Sequence, residues 1–464
     1  VTRTIPVTRP SAVPLATAGL MLGALLSVLD QAVVAIALPE IAADLGGMES
    51  IGWTVTAYLL ATTVTGALYG RLSDRFGRRA VYLSAVGIFV IASALAGASH
   101  TLWQLVGARA LQGIGGGALF VVPTIAIAEL YPVDKRGRMQ GLMGAVFAIA
   151  SVGGPLIGGT ITDLAGWRWV FYINVPLGLA AMAVVALSLR LPRVGGDTRL
   201  DYPGAALLTA AVVSLLLVTE WGGRSADWGS PVILGLVALT LVALAVFRWW
   251  EPRTPHPILP LRLFADRTLR APLPATFVSG ALLAASLVYL PTYLQTAFDI
   301  GATAAGLATL PYFLTFVAVA AIAGGRAGAS RDFKPYLLTG AVLATAGFWL
   351  LSRLGPDTGY AVVALCLMVP GVAFGLLMQN LVVVTQNAVG PADLGVTTSA
   401  TLALRGLGMS VGVAVLGNLL SRELTGQTNV AVAVPEVMVW GVPLAAVLIV
   451  LVLALPKSAA PDHP

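Results

Sequence analysis

Long apolar runs separated by short polar connections occupy nearly the whole chain, from about residue 14 to residue 455. A helix needs about 20 mostly apolar residues to cross the hydrocarbon core of a bilayer. Fourteen runs qualify, at about 14–38, 52–69, 80–99, 102–130, 139–164, 167–189, 202–220, 231–249, 272–297, 302–325, 335–352, 360–388, 395–420 and 435–455. The pattern predicts an all-α polytopic membrane protein with fourteen transmembrane helices. Their spacing suggests an N-terminal six-helix bundle over 14–189, linker segments with an inserted transmembrane hairpin over 190–271 (hairpin 202–249), and a C-terminal six-helix bundle over 272–455. The first linker, Arg190 to Gly204, is basic, and the second, Glu251 to Arg270, is rich in proline, which prevents a long helix there.

Composition supports the same class. Hydrophobic residues make up 58% and charged residues 10% of the chain, whereas soluble globular chains carry about 25% charged residues. The net charge of +6 is scattered over many short loops, so it forms no basic stripe of the kind that binds nucleic acid. Positive charge in short loops favours the cytoplasmic side. Threading the fourteen runs from a cytoplasmic N-terminus places 21 of the 27 Lys and Arg inside. Four lie outside (Arg168, Arg224, Arg353, Arg422) and two within helices (Arg109, Arg405). Both termini are therefore expected in the cytoplasm. The first apolar run is of spanning length, so targeting is expected from that helix itself rather than from a cleavable signal. Arg outnumbers Lys 24 to 3, a bias suggesting a GC-rich bacterial genome.

Several chemistries are disfavoured. Cys366 is the single cysteine, so no disulfide framework or cysteine metal site is available. His100, His256 and His463 fall in predicted loops or the tail and suggest no metal or proton site. The GIGGGA run from Gly113 lies inside an apolar helix with no preceding strand, which argues against a dinucleotide site, and no Walker-type GxxxxGK[ST] occurs. Ion-gradient energy is the simpler source.

Ionisable residues inside a span are functional candidates by default. Asp30 lies just beyond the midpoint of the first predicted helix, and Arg109 lies in the fourth, about 10 Å below its outer end. The two share a depth, with Gln112 on the same face as Arg109. Their pairing is either a carboxylate toggled by protonation or a permanent salt bridge fastening two helices. Arg405, followed by Gly406, Gly408 and Gly412, either binds an anionic group or hydrogen-bonds nearby carbonyls. Trp53, Tyr58, Tyr289, Tyr293, Tyr312, Phe313, Gln379 and Asn380 either line a substrate cavity with Gln112 and Arg405 or serve as helix packing. The decapeptide GRLSDRFGRR, Gly70 to Arg79, packs five charges between two spans. Gly70 is expected to end one helix and Gly77 to permit a tight turn, so that Asp74, Arg75, Arg78 and Arg79 reach neighbouring helix ends as a latch. In the fifth helix, Gly154, Pro155, Gly158 and Gly159 combine a helix-bending proline with small residues that allow close packing.

The decapeptide resembles the loop signature of the major facilitator superfamily, between the second and third helices of its transporters. VGGPLIGGT, from Val152, resembles the antiporter motif of proton-coupled exporters in that superfamily, with Ala150 where glycine is more frequent. The run LDQAVVAIALP from Leu29, the run WRWVFYINVPLG from Trp167 and the inserted hairpin are similar to the fourteen-helix drug:proton antiporters. This resemblance implies the major facilitator fold and a bacterial inner-membrane exporter of lipophilic drugs or toxic metabolites, working by alternating access as a monomer. It implies no cofactor, the proton gradient supplying energy, and it assigns Asp30 as the coupling carboxylate. Glu129 would partner the Arg78 and Arg79 side of the latch, and Asp74 would face an inner helix end of the C-terminal bundle. The second-bundle counterpart, from Gly324, keeps basic character but not the pattern. With one mid-membrane carboxylate, a single coupled proton and neutral or weakly basic cargo are expected. Lipid or endogenous-metabolite export is the alternative. A membrane enzyme or receptor is disfavoured, since neither clustered nucleophilic groups nor a signalling domain is visible.

Overall fold

The computed structural model describes residues 10–47, 50–191, 201–223, 225–255, 257–330, 332–426 and 429–456. Residues 192–200 of the first linker, Arg224, His256 and His463 lie outside the described residues. In chain order the helices are α1 (Val13–Leu45), α2 (Trp53–Phe76), α3 (Arg78–Gly97), α4 (Leu102–Leu130), α5 (Val133–Ala165), α6 (Arg168–Tyr172), α7 (Asn174–Ser188), α8 (Tyr202–Trp221) and α9 (Pro231–Trp250). They continue with α10 (Arg262–Ala265), α11 (Pro272–Phe298), α12 (Ala302–Ala308), α13 (Leu310–Ser330), α14 (Lys334–Leu351), α15 (Tyr360–Asn387), α16 (Leu394–Gly426), α17 (Val430–Met438) and α18 (Gly441–Leu453).

Among the described residues, twelve helical stretches are long and apolar enough to cross a membrane, with α6–α7 and α17–α18 each acting as one stretch. By that measure the expected fourteen become twelve. The two that fall away are α2, rich in Thr and carrying Arg71, Asp74 and Arg75, and α14, which has 18 residues and opens on Lys334. Other boundaries also move. α2 runs straight through Gly70, so Gly70 does not end a helix; the turn comes at Gly77, whose φ of +89° is natural only for glycine. α5 begins at Val133 rather than near 139, because the polar stretch from Asp134 to Arg138 continues the helix beyond the apolar part. Polar residues do not stop a helix that has left the hydrocarbon; glycines do, as at Gly46 and Gly166, both with positive φ. The predicted sixth and tenth helices are each divided, at Ile173 and Thr309.

Two packed groups result. In α1–α7 the buried core includes Leu20, Tyr82, Phe89 and Val122, and in α11–α18 it includes Phe316, Phe348, Phe374 and Leu448. α8 and α9 pair through a buried Ser214–Thr240 hydroxyl contact of 2.8 Å. Leu241 and Val242 on the outer face of α9 are about 60% exposed, the pattern of a surface solvated by lipid. The groups touch most closely at the end bearing the Gly77 turn, called the basic end below. There a Cβ on Gly137 of α5 would lie 2.1 Å from the Gly324 carbonyl oxygen of α13, and one on Gly70 of α2 would lie 2.5 Å from the Gly395 carbonyl oxygen of α16. α1 starts at this end, and Lys334 Nζ donates to the Leu453 and Leu455 carbonyls, bringing the end of α18 there too.

Gly137→Val should therefore prop the basic end open. Apolar atoms need about 3.5 Å or more, so α5 and α13 must part by more than about 1 Å at this point. Spin labels on the exposed Lys135 and Asp332 should report a longer mean separation than in the wild type; an unchanged distance would mean that α13 re-packs around the added methyls.

Candidate functional site

Asp30 and Arg109 meet. Their side chains are about 1% exposed, and Arg109 Nη1 donates to Asp30 Oδ2 at 2.6 Å. The other carboxylate oxygen accepts from Gln112 Nε2 at 2.8 Å and Asn174 Nδ2 at 2.7 Å. Arg109 further donates to Gln112 Oε1 at 2.7 Å and the Thr54 carbonyl at 3.2 Å, and lies 4.2 Å from the Tyr58 ring centroid. Gln112 also donates to Ser93 Oγ at 2.8 Å. Helices α1, α2, α3, α4 and α7 thus converge on one carboxylate. Burying an ion pair carries a heavy desolvation cost, and it persists only when the remaining donors and acceptors are satisfied. Gln112 and Asn174 supply that satisfaction, and Ser93 in turn holds Gln112; Asn174 and Ser93 were not foreseen, and the only visible hint was an Asn within the apolar WRWVFYINVPLG run. Asn174 opens α7 directly after the break at Ile173.

Glycines set the spacing around this pair. In α5, a Cβ on Gly154 would meet Ala32 Cβ at 2.2 Å and one on Gly158 would meet Val33 at 3.0 Å, so α5 lies against α1 within a turn of Asp30. Pro155 sits inside a continuous α5, and Gly159 faces open space rather than a neighbour. In α4, Gly113 and Gly117 admit α2, and Gly115 admits α3.

Ser27, one turn before Asp30, and Gln31, the residue after it, line a cavity of about 520 Å³ between the two helical groups. Its walls are mainly apolar, with Leu59, Phe120, Phe316, Leu402 and Met409 among them, and its polar groups include Thr56, Thr62, Gln379, Glu220 and Arg405. Of the ten cavity candidates only Gln379 and Arg405 line it. Tyr58 lies beneath Arg109, bonded to Ser27 Oγ at 3.2 Å, and Gln112 belongs to the ion-pair network. Tyr289 and Tyr293 donate to the Val413 and Gly355 carbonyls. Tyr312 and Phe313 pack edge to face on one another, and Asn380 donates to the Leu376 carbonyl of its own helix. Trp53 stacks edge-on with Trp221 and lines a separate apolar groove with Trp103, Val106, Thr209 and Val213.

At the basic end Arg78, 1% exposed, pairs with Asp74 at 2.5 Å and Glu129 at 2.8 Å, and also donates to Ser73 Oγ. Asp74 lies against Gly395, in the first turn of α16, where a carboxylate complements the helix dipole. The remaining arginines point elsewhere. Arg79 is exposed and donates to the Ala186 carbonyl rather than reaching Glu129, Arg75 stacks on Phe76, and Arg71 donates twice to the Pro257 carbonyl, at 2.7 and 3.0 Å.

Two packed helical groups closed at one end around a central cavity, with a buried ion pair beside it, define a polytopic membrane protein with a central site. Residues 20–413 match the Major Facilitator Superfamily, and the chain belongs to it. It is 38% identical over 423 residues to an uncharacterized MFS-type transporter of Mycobacterium tuberculosis, covering 90% of this chain and 62% of that protein. The multidrug transporter protein MdtP of Bacillus subtilis is 35% identical over 87% of this chain and 74% of its own length, and multidrug resistance protein 3 of the same organism is 33% identical over 89% and 80%. The human organic anion transporter MFSD10 shares the fold, with a TM-score of 0.68 at 15% identity over 96% of this chain and 100% of that one. So does the proton:xylose symporter XylE, at 0.66 and 17% over 94% and 95%. The chain is a multi-pass membrane protein of that superfamily, and it spans less than two thirds of the length of its mycobacterial relative.

Proposed function

We propose that the chain is a proton-coupled secondary active exporter of small lipophilic molecules, working by alternating access. The observation that carries this reading is the Asp30–Arg109 pair, whose carboxylate stands between the cavity residues Ser27, one turn before it, and Gln31, the next residue. A proton on Asp30 would release Arg109 and loosen the helices that meet there, which ties protonation to the shape of the cavity. The similarity to bacterial multidrug transporters supports drug-like cargo. In this reading the protein is a monomer of the bacterial inner membrane, with no cofactor and both termini cytoplasmic. It belongs with the fourteen-helix drug:proton antiporters: α2 and α14 complete the crossings, the six-helix bundles are 14–189 and 272–455, and α8–α9 are the inserted hairpin. Lipid or endogenous-metabolite export is the second reading, favoured by the apolar groove between α2, α4 and α8.

Purified protein in vesicles with an imposed pH gradient, screened over a panel of lipophilic ligands, tests the transport reading. Uphill movement of at least one ligand, collapsed by a protonophore, is expected; no gradient-driven movement across the panel would sink it. The topology is tested separately in a Cys366→Ser background. The exposed positions Asp227, between α8 and α9, and Arg267, after α9, changed one at a time to Cys, should label from opposite sides of the membrane. Labelling from one side would remove the hairpin.

A further inference from the structure

Among the described residues, Arg78, Arg109 and Arg405 sit inside the helical groups. Arg78 and Arg109 are neutralised by carboxylates. Arg405 is not: among the described residues it forms no ion pair. Its contacts are Met378 Sδ, 3.8 Å from Nη1, and the Phe120 ring, whose centroid lies 5.5 Å from the guanidinium carbon. Both are weak partners for a guanidinium, which stays charged at any accessible pH and offers five donors in a planar fork. A cation within a membrane protein is costly unless paired or hydrated. Arg405 lines the central cavity, beside apolar residues such as Leu402, Phe316 and Met409.

The cavity's other charged lining residue, Glu220, does not offset it. Glu220 lies near the end of α8, three residues before Gly223, where an added Cβ would fall 3.0 Å from Asn418 Nδ2 of α16. Asn418 is about 20 Å along α16 from Arg405, so by helix rise the Glu220 backbone stands roughly 15 Å further toward the opposite end than the Arg405 backbone. The cavity is therefore polarised, with a bare cation toward the basic end, a carboxylate toward the opposite end and apolar walls between them.

We propose that this cavity takes an amphipathic organic monoanion. Its anionic group, a carboxylate or a chemically similar acid, is held by the Arg405 fork in the two-bond geometry that suits it, and its lipophilic body lies along the apolar walls. Glu220 disfavours a second anionic group at the far end, which restricts the class to monoanions. This assignment rests on the export reading above and replaces the neutral or weakly basic cargo expected from the sequence. Exporting an anion against an incoming proton moves net charge in one direction, so the membrane potential assists both halves of the exchange.

A charge series on one aromatic body tests it: pyrenebutyrate, its methyl ester, and pyrenebutyl-trimethylammonium, with binding read by fluorescence on purified protein and export read in vesicles. Wild type should bind the carboxylate at least tenfold more tightly than the ester. Arg405→Gln should abolish that preference, leaving ester affinity within about twofold, while Arg405→Lys should retain part of it. Glu220→Gln should improve binding of a pyrene dicarboxylate. If the ester or the ammonium binds as well as the carboxylate, or if the preference survives Arg405→Gln, the anion assignment is wrong while the export reading stands. If none of the three binds or moves, the cavity is not a substrate site, and both fail. Should Arg405→Gln not fold, the wild-type series and the lysine variant decide alone.

Discussion

Asp30→Asn is expected to abolish uphill, proton-driven export while substrate binding remains measurable. In the wild type the carboxylate answers Arg109, Gln112 and Asn174 at once. Asn keeps the shape and one acceptor but neither titrates nor neutralises Arg109. Breaking a buried pair costs about 3–5 kcal/mol when one charge is left uncompensated, so thermal stability should also fall. The double variant Asp30→Asn/Arg109→Gln separates coupling from fastening. If it recovers stability yet cannot pump, the pair carries coupling; if it pumps uphill, the pair only fastens α1 to α4. The single proton sets the reach of the exchange. One proton gains about 1.4 kcal/mol per pH unit and about 2.3 kcal/mol per 100 mV. At one pH unit and 100 mV, a monocation exported per proton reaches about tenfold, since the electrical parts cancel, and a neutral molecule a few hundredfold, at about 3.7 kcal/mol. A monoanion reaches more than ten-thousandfold, at about 6 kcal/mol. Reversal potentials measured for wild type give the stoichiometry directly, and a value requiring two protons would remove Asp30 as sole carrier.

Arg78→Ala should have the second large effect. The residue is almost wholly buried and bridges Asp74 of α2 to Glu129 of α4; without it two carboxylates face each other with no cation between them. A loss of about 3–5 kcal/mol is expected from that uncompensated charge, more than a surface latch contributes, since exposed pairs give about 0–1 kcal/mol. The same change frees Asp74 from its position against the first turn of α16, which should separate the two helical groups at the basic end. Distances between labels on α2 and α16, together with unfolding midpoints, check both consequences. Arg79→Ala is the control: exposed and bonded to a carbonyl of α7, it should change stability by less than about 1 kcal/mol. If Arg78→Ala matches this control in both measurements, the Arg78 cluster is not a latch.

Hydropathy alone was enough to mark this chain as a helical membrane protein, because the bilayer imposes a length and a polarity on every span. It also marked Asp30 and Arg109, since a charge in an apolar run stands out by its cost, and counting residues from the helix ends placed both at one depth. Rotation about the helix axes was not readable. In α1 and α15 hydrophobicity is spread evenly around the axis, so no polar stripe says which face meets the cavity, and the tyrosines of α11 turned inward to the core while Ser27, Gln31, Thr56 and Phe120 took the lining positions. Those rotations were decided by close contacts at Gly154 and Gly158 for α1, at Gly113 for α2, and at Gly408 and Gly412 for α11, where the neighbouring helix must fit before any side chain can choose its side. Asn174 likewise became a partner of the Asp30 carboxylate, and Ser93 a partner of Gln112 beside it, only once five helices converged there. Arg405 is where the two levels meet: its charge stood in the sequence, but only the packed structure shows that no carboxylate among the described residues pairs with it, because ion pairing is a matter of distances between helices remote from one another in the chain.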